Sequence, residues 1–216
     1  MHDEKNASLV EDLSGKTRYA LQLNNGCIKI PSGVYFSGDS TLMTWVKFNK
    51  LNNFRVNLFS FSNYIHSFNI LCDAPTTFQN DEFNFKIRCI FSLNNKNLIS
   101  AEIECNNLNR HSFFAAECNE WIHLSLVFGN NSLRLYLNNS LKAKTKFEMF
   151  KNEYFDTNYI GNQYNENIEY LISYDEIKVF ERSLNDYELR KQNGFYESKN
   201  FNYKLSQTIL TSEFSF

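Results

Sequence analysis

Residues 174–184 read YDEIKVFERSL, and this stretch predicts a strand that leads directly into a short helix. Ser183 is the predicted N-cap, because a serine hydroxyl can accept a hydrogen bond from the first turn. Asp186 stands three residues later and gives a capping-box-like pattern with negative charge where the helix dipole favours it. The helix is expected to include Leu184, Tyr187, Glu188 and Leu189, and to stop near Gly194.

The preceding residues show the two-residue periodicity of strands. Residues 122–128 alternate apolar and polar side chains, and residues 133–137 repeat the pattern. Residues 129–132 would join these two strands as a hairpin, and residues 138–139 would make the next tight turn. A second hairpin is predicted from residues 83–92 and 98–104.

These elements indicate an all-β fold: a two-sheet antiparallel β-sandwich of jelly-roll type with one short C-terminal helix. Asparagine must make most of the turns, because the 216 residues include only 7 Gly and 2 Pro. We expect a flexible lead-in over residues 1–17 and one domain over residues 18–194. A tail over residues 195–216 could add a closing edge strand.

The charge balance excludes some partners. The formal net charge is −2, from 22 Lys and Arg against 24 Asp and Glu, and the chain has no long basic block. Nucleic-acid binding therefore has no electrostatic support. No apolar stretch is long enough to cross a bilayer, so direct membrane insertion is not expected.

The cysteines leave two interpretations open. Neither a CxxC pair nor a Cys/His cluster with zinc spacing occurs, so metal ligation by thiolates is not expected. The odd number fits two disulfides and one free thiol, or five buried thiols that behave as small apolar groups. The residues concerned are Cys27, Cys72, Cys89, Cys105 and Cys118.

Three Asn-x-Ser sequons make Asn6, Asn130 and Asn138 candidate glycosylation sites. The last two lie in predicted hairpin turns, where a glycan would not block a sheet. Trp45 and Trp121 stand inside strand motifs and are expected in the core.

The order of these motifs over roughly residues 18–190 resembles the laminin G-like and pentraxin-like domains of the concanavalin A-like lectin/glucanase superfamily. The resemblance implies a concanavalin A-like jelly roll, and the segment over residues 175–184 is its most specific part. Two features depart from the family pattern: the glycine before the Asp-Glu strand is missing, and the Asn-Gly turns are Asn-Asn. The matching segments are residues 20–31, 45–47, 121–123, 133–141, 160–162 and 175–184.

The resemblance implies calcium as a candidate ligand. Calcium is a hard cation that takes carboxylate and carbonyl oxygens. Asp175 is the first candidate ligand and Asp39 the second. The alternative is that Asp175 accepts backbone N–H bonds at a strand and that Asp39 is an ordinary solvated acid.

Glycan binding is the second function that the resemblance implies. A sugar site needs an aromatic platform with amide or carboxylate partners, because a pyranose presents both C–H faces and hydroxyls. The alternative is that the candidates are ordinary rim residues in a chain rich in Tyr and Asn. One candidate loop contains Asn63, Tyr64 and His66, and the other contains Asn162, Gln163 and Tyr164.

Catalysis is disfavoured. Glycosidases of this superfamily carry paired acids on one strand, whereas Glu102 and Glu104 share a predicted strand face without the surrounding motif. We expect a non-catalytic, lectin-like recognition module, extracellular or at the cell surface, that binds a glycan or glycoprotein. The alternatives are a protein–protein adhesion or assembly module and, less favoured, a glycoside hydrolase. Because residues 1–10 show no signal peptide, a cytoplasmic location is the alternative.

Overall fold

A computed structural model describes residues 6–52, 55–73, 84–91, 96–104, 108–112, 115–147, 153–162 and 169–192. Side chains are described for residues 6–51, 55–73, 120–147, 153–162 and 169–192. The elements are β1 (Ala7–Val10), β2 (Ala20–Asn24), β3 (Cys27–Ile30), β4 (Ser40–Asn52), β5 (Arg55–Ser62), β6 (Ser67–Asp73), β7 (Asn84–Phe91), β8 (Lys96–Glu104), β9 (Leu108–Ser112), β10 (Ala115–Gly129), β11 (Ser132–Leu137), β12 (Ser140–Lys146), β13 (Thr157–Gly161), β14 (Tyr170–Phe180) and α1 (Asp186–Gln192).

The described strands form two antiparallel sheets. The first has the order β1-β2-β14-β4-β10-β11-β12, with β9 paired to β10, and the second has the order β3-β13-β5-β6-β7-β8. This architecture confirms the predicted all-β sandwich with one short helix. Both predicted hairpins are also present, as β10–β11 and β7–β8.

Asparagines make the tight turns of β10–β11 and β11–β12. Asn130 and Asn131 both have φ of 52°, and Asn138 and Asn139 have φ of 48° and 62°. Two successive residues with positive φ define the turn whose twist matches a hairpin, and asparagine tolerates that backbone conformation. The prediction that asparagine replaces glycine in the turns is therefore confirmed at these two hairpins.

The residues expected to form a flexible lead-in include a strand. β1 pairs with β2 from Ala7↔Leu23 to Val10↔Ala20. The following turn is closed by Asp12, whose carboxylate accepts N–H bonds from Ser14 and Lys16. The expectation of a flexible segment is therefore wrong for residues 7–10, because their backbone groups satisfy those of the neighbouring strand.

Aromatic side chains fill the space between the sheets around Phe36, which is 2% exposed. Its ring centroid lies 4.9 Å from that of Phe61, 5.1 Å from Phe128 and 5.5 Å from Phe68. Phe36 precedes β4 and contacts residues of both sheets, so this one ring joins the two layers. Tilted and edge-on ring pairs at such distances add to the free energy of apolar burial.

The helix packs on the outer face of the first sheet, with Leu184 and Leu189 buried against Met43, Val127 and Tyr136. Its N-cap differs from the predicted one. The Asn185 side chain accepts the Glu188 N–H at 2.9 Å, and the Glu188 carboxylate accepts the Asn185 N–H at 2.9 Å. This reciprocal pair is a capping box that begins two residues after Ser183.

Ser183 has another role: its hydroxyl accepts a hydrogen bond from Arg134 Nη2 at 2.7 Å. Both residues are good N-caps. Only Asn185 is followed three residues later by a glutamate, the residue that completes a capping box, so the sequence carried a signal that favoured Asn185.

Replacing Asn185 with alanine is expected to lower the free energy of unfolding by about 1 kcal/mol, because Glu188 N–H loses its acceptor. Asn185→Ser should stay within about 0.5 kcal/mol of the unchanged protein, since serine also caps. Urea unfolding of the two variants provides the measurement. Equal losses in both would contradict the assigned cap.

Candidate functional site

The turn between β5 and β6 holds the first predicted site group. Asn63 Oδ1 accepts the N–H groups of Ile65 and His66 at 2.8 and 2.7 Å, and Asn63 N–H donates to the His66 carbonyl at 2.9 Å. An asparagine that bonds the backbone two and three residues ahead is a strong local turn signal. The sequence therefore determines this turn locally.

A neighbouring segment completes the group. Asn63 Nδ2 donates to Glu153 Oε1 at 2.5 Å and to the Tyr154 carbonyl at 2.9 Å. His66 Nδ1 lies 2.7 Å from Glu153 Oε1, and both side chains are about one-fifth exposed, at 19% and 21%. The hydrogen bonds from His66 and Asn63 hold the pKa of Glu153 below its ordinary value, so this carboxylate is charged at neutral pH.

Apolar side chains surround this polar group and project into solvent. Tyr64 is fully exposed, while Ile65 and Tyr154 are 66% and 56% exposed. Large apolar residues are unusual at such exposure when they cluster. We call residues 63–66 together with Glu153 and Tyr154 the hairpin-tip surface.

Three members of this surface were not predicted from the sequence: Ile65, Glu153 and Tyr154. Ile65 carried a usable signal, since it is an aliphatic residue inside a polar turn. Glu153 carried none, because 87 residues separate it from His66 and only the packing of the strands brings them together.

The second predicted loop lies at the other end of the second sheet. Asn162 directly follows β13 and accepts a hydrogen bond from Asn57 Nδ2 at 3.0 Å, whereas the hairpin tip follows Ser62 at the opposite end of β5. Gln163 and Tyr164 lie outside the described residues. The structure therefore does not bring Asn162 together with Asn63, Tyr64 or His66.

The two predicted calcium ligands are also apart. Asp175 pairs with Trp45 in the middle of β4, while Asp39 precedes the first residue of that strand. Six residues of strand separate these positions by about 20 Å, so the two carboxylates cannot bind one ion. In the part of the chain that the structure describes, no group of three His, Cys, Asp or Glu residues could hold a metal.

The Asp175 carboxylate accepts the N–H groups of Leu13 and Glu176 at 3.2 and 2.8 Å. Burial raises its pKa, despite these two hydrogen bonds. Asp175 thus does what the alternative interpretation expected: it satisfies backbone donors.

One pair superficially resembles a nucleophile and its base. Ser125 Oγ lies 3.3 Å from His123 Nδ1, and the two residues are 0% and 2% exposed. Burial, with a smaller contribution from Lys178, lowers the pKa of His123 to about 3. Such an imidazole is a weak base without access to substrate, so this pair is structural. The side chains of Glu102 and Glu104 lie outside those described.

The candidate glycosylation sites differ in their surroundings. Asn130 is exposed at its hairpin tip, whereas the Asn138 side chain accepts the His123 N–H at 2.9 Å. Asn6 is half-buried beside Gly26. Glycosylation at these three positions remains a prediction.

Cys27 and Cys72 are free thiols. The side chains of Cys89, Cys105 and Cys118 lie outside those described, so the number of disulfides stays a prediction. Burial raises the pKa of both thiols, most strongly for Cys72, which is 0% exposed. They behave as small apolar groups.

The helix that the structure describes is too short and too polar to cross a bilayer.

Known structures share this fold. The binding domain of Paraclostridial Mosquitocidal Protein 1 matches with 17% identity and a TM-score of 0.59, over 89% of this chain and 47% of that one. The botulinum neurotoxin serotype D binding domain matches with 14% identity and a TM-score of 0.58, over 88% and 45%. The chain therefore spans about half the length of these toxin domains.

A third structure matches over most of both chains. It is domain 4 of AbnA, an extracellular GH43 arabinanase from Geobacillus stearothermophilus, in complex with arabinotriose. The identity is 16% and the TM-score 0.55, over 88% of this chain and 82% of that one. At these identities the likeness shows the fold alone.

At the level of sequence, no curated protein matches this chain. A laminin G-like family model described as the concanavalin A-like lectin/glucanases superfamily matches residues 23–190. That range spans both sheets from β2 to the helix and includes residues 174–184. The chain belongs to the concanavalin A-like lectin/glucanases superfamily.

Proposed function

We propose that this domain is a non-catalytic recognition module whose hairpin-tip surface binds a glycan. The observation that carries the proposal is a fully exposed aromatic ring, Tyr64, beside the hydrogen-bonded group of Asn63, His66 and Glu153. The ring can pack on the C–H face of a pyranose. Glu153 Oε2 has no partner among the described residues and can accept a hydrogen bond from a sugar hydroxyl.

The comparisons support a binding module in general terms. The toxin structures are binding domains, and domain 4 of AbnA was solved with arabinotriose. Domain 4 of AbnA is thus a protein of this fold whose structure contains a bound oligosaccharide. Loops that differ between members of a fold carry the binding sites, so the site in this chain is argued from its own residues.

A protein partner is the second candidate. Ile65 is 66% exposed on the same surface, and an aliphatic side chain suits a protein pocket better than a sugar ring. The partner would be a protein bound through the apolar part of the hairpin-tip surface rather than through Glu153.

Tyr64→Ala is expected to weaken glycan binding by at least about tenfold, because the ring supplies the apolar contact. Its effect on stability should be below about 0.5 kcal/mol, since the side chain is fully exposed. A glycan array, followed by titration calorimetry with the strongest hit, provides the measurement. Tyr187→Ala, which removes an exposed tyrosine from α1, is the matched control and should bind normally.

The array also separates the alternatives when it is run in calcium and again in chelator. Loss of all hits in chelator would place a calcium ion at the site. That ion would need ligands other than Asp39 and Asp175 together, because these two carboxylates are too far apart to share one. A blank array with folded protein would reject the glycan proposal and favour the protein partner. Our proposal further includes an extracellular or cell-surface location, where glycans are presented.

A further inference from the structure

A second surface crosses the outer face of the first sheet, far from the hairpin tip. Gln22 pairs with Ser173, Ser173 with Lys47, and Lys47 with Trp121, so one row runs over β2, β14, β4 and β10. The flanking residues Val46 and Ile122 belong to the core between the sheets. Because side chains alternate along a strand, the four residues of the row point outward.

Trp121 was expected in the core together with Trp45. The structure corrects this: Trp45 is 6% exposed and packs on His123, whereas Trp121 is only half-buried. The two-residue periodicity places both tryptophans on the outer face of the first sheet. They differ in exposure because neighbouring side chains cover that face more completely at Trp45 than at Trp121.

One buried hydroxyl holds two amides in place, that of Gln22 on this row and that of Asn49 two residues after Lys47. Gln22 Nε2 donates to Ser173 Oγ at 3.2 Å, and Asn49 Nδ2 donates to the same oxygen at 2.7 Å. Ser173 is 2% exposed, so both amides are anchored from below. Their carbonyl oxygens accept no hydrogen bond from the described residues and remain available to a ligand.

The row also contains a cation, Lys47, for which the described residues provide no counter-ion. Lys47 makes no hydrogen bond or ion pair with any described residue, while Lys50 on the same strand pairs with Glu169 at 2.8 Å. Lys47 lies beside the half-buried ring of Trp121, its partner in the neighbouring strand. A half-buried lysine without a partner among the described residues favours an anionic ligand, because a carboxylate can accept hydrogen bonds from its ammonium group.

We propose that this row binds an oligosaccharide that carries carboxylate groups. Trp121 would pack on a sugar C–H face, Lys47 would pair with the carboxylate, and the amide oxygens of Gln22 and Asn49 would accept hydroxyl hydrogen bonds. The strands from β10 to β2 span about 14 Å, enough for a short oligosaccharide. A densely sulfated chain would need several cations, and this row has one.

The test uses trigalacturonic acid, a hyaluronan tetrasaccharide and 3′-sialyllactose, each beside its neutral methyl ester. At least one acid is expected to bind the full chain at least tenfold more tightly than its ester, as measured by titration calorimetry. Bound ligand should also protect Trp121 from iodide quenching, which Trp45 escapes because it is buried. Lys47→Gln is expected to abolish the preference for the acid, while Lys50→Gln, on the same face and strand, should leave it unchanged.

The result can go against the proposal in distinct ways. The proposal is overturned if none of the three acids binds, or if acids and esters bind equally. It is also overturned if Lys47→Gln and Lys50→Gln lose the preference for the acid to the same extent. Tighter binding of a sulfated heparin tetrasaccharide than of the best acid would also overturn it. Circular dichroism of both variants verifies folding. Loss of acid binding in Tyr64→Ala, with normal binding in Lys47→Gln, would assign the acid to the hairpin-tip surface and overturn the proposal.

Discussion

Replacing Phe36 with alanine is expected to lower the free energy of unfolding by about 3–5 kcal/mol, a large part of the stability of a domain this size. The side chain is 2% exposed and its ring contacts those of Phe61, Phe68 and Phe128. Alanine would leave a cavity between the two sheets, which the surrounding paired strands can close only in part.

Urea unfolding followed by fluorescence measures this effect. Val34→Ala, two residues earlier, is the matched control, because Val34 is 46% exposed and its truncation should cost less than about 0.5 kcal/mol. A loss below about 1 kcal/mol for Phe36→Ala would show that this ring does not join the two layers.

Acidification from pH 7 to pH 4 is expected to destabilise the domain by about 3 kcal/mol through His123 alone. Burial lowers the pKa of this residue from 6.5 to about 3 in the folded state. At a pH between these two pKa values, His123 binds a proton in the unfolded chain but not in the folded chain. Stability from this residue is therefore complete above pH 6.5 and decreases as the pH falls towards 3.

The control is His123→Gln, which keeps a polar side chain beside Trp45 and Ser125 but does not titrate in this range. Between pH 7 and pH 4 this variant should lose about 3 kcal/mol less of its free energy of unfolding than the unchanged protein does. A series of urea denaturations at different pH values provides the measurement. If both proteins lose stability equally over this interval, His123 is not buried in its neutral form.

The hairpins and the sheet faces could be predicted because their causes are local. The alternation over residues 122–128 and the asparagines at 130 and 138 act within a few positions of the chain, and the structure has the expected strands and turns. The prediction of Ser183 as the capping residue is wrong, although Glu188, three residues after Asn185, was a local signal for the observed cap. The role of Ser183 could not be predicted, because Arg134 hydrogen-bonds it from another strand.

The candidate sites show the same division. Tyr64 was predicted as part of a candidate glycan-binding loop, and Asn63 builds the turn of that loop from neighbouring backbone groups. Glu153 could not be assigned to the hairpin-tip surface from the sequence. Its carboxylate lies next to His66 only because the segment before β13 packs beside the β5–β6 turn. The second surface was not predicted at all, since the Trp45 and Trp121 motifs look alike in sequence.

By itself the sequence determined the fold class, the family, the turn positions and the exposure of the hairpin tip, because periodicity and turn chemistry act over short distances. Tertiary structure alone decided which distant polar groups meet. It placed Asp39 and Asp175 about 20 Å apart along β4 and aligned Gln22, Ser173, Lys47 and Trp121 in one row. Strand order and register set such meetings, and both depend on the packing of the whole sandwich.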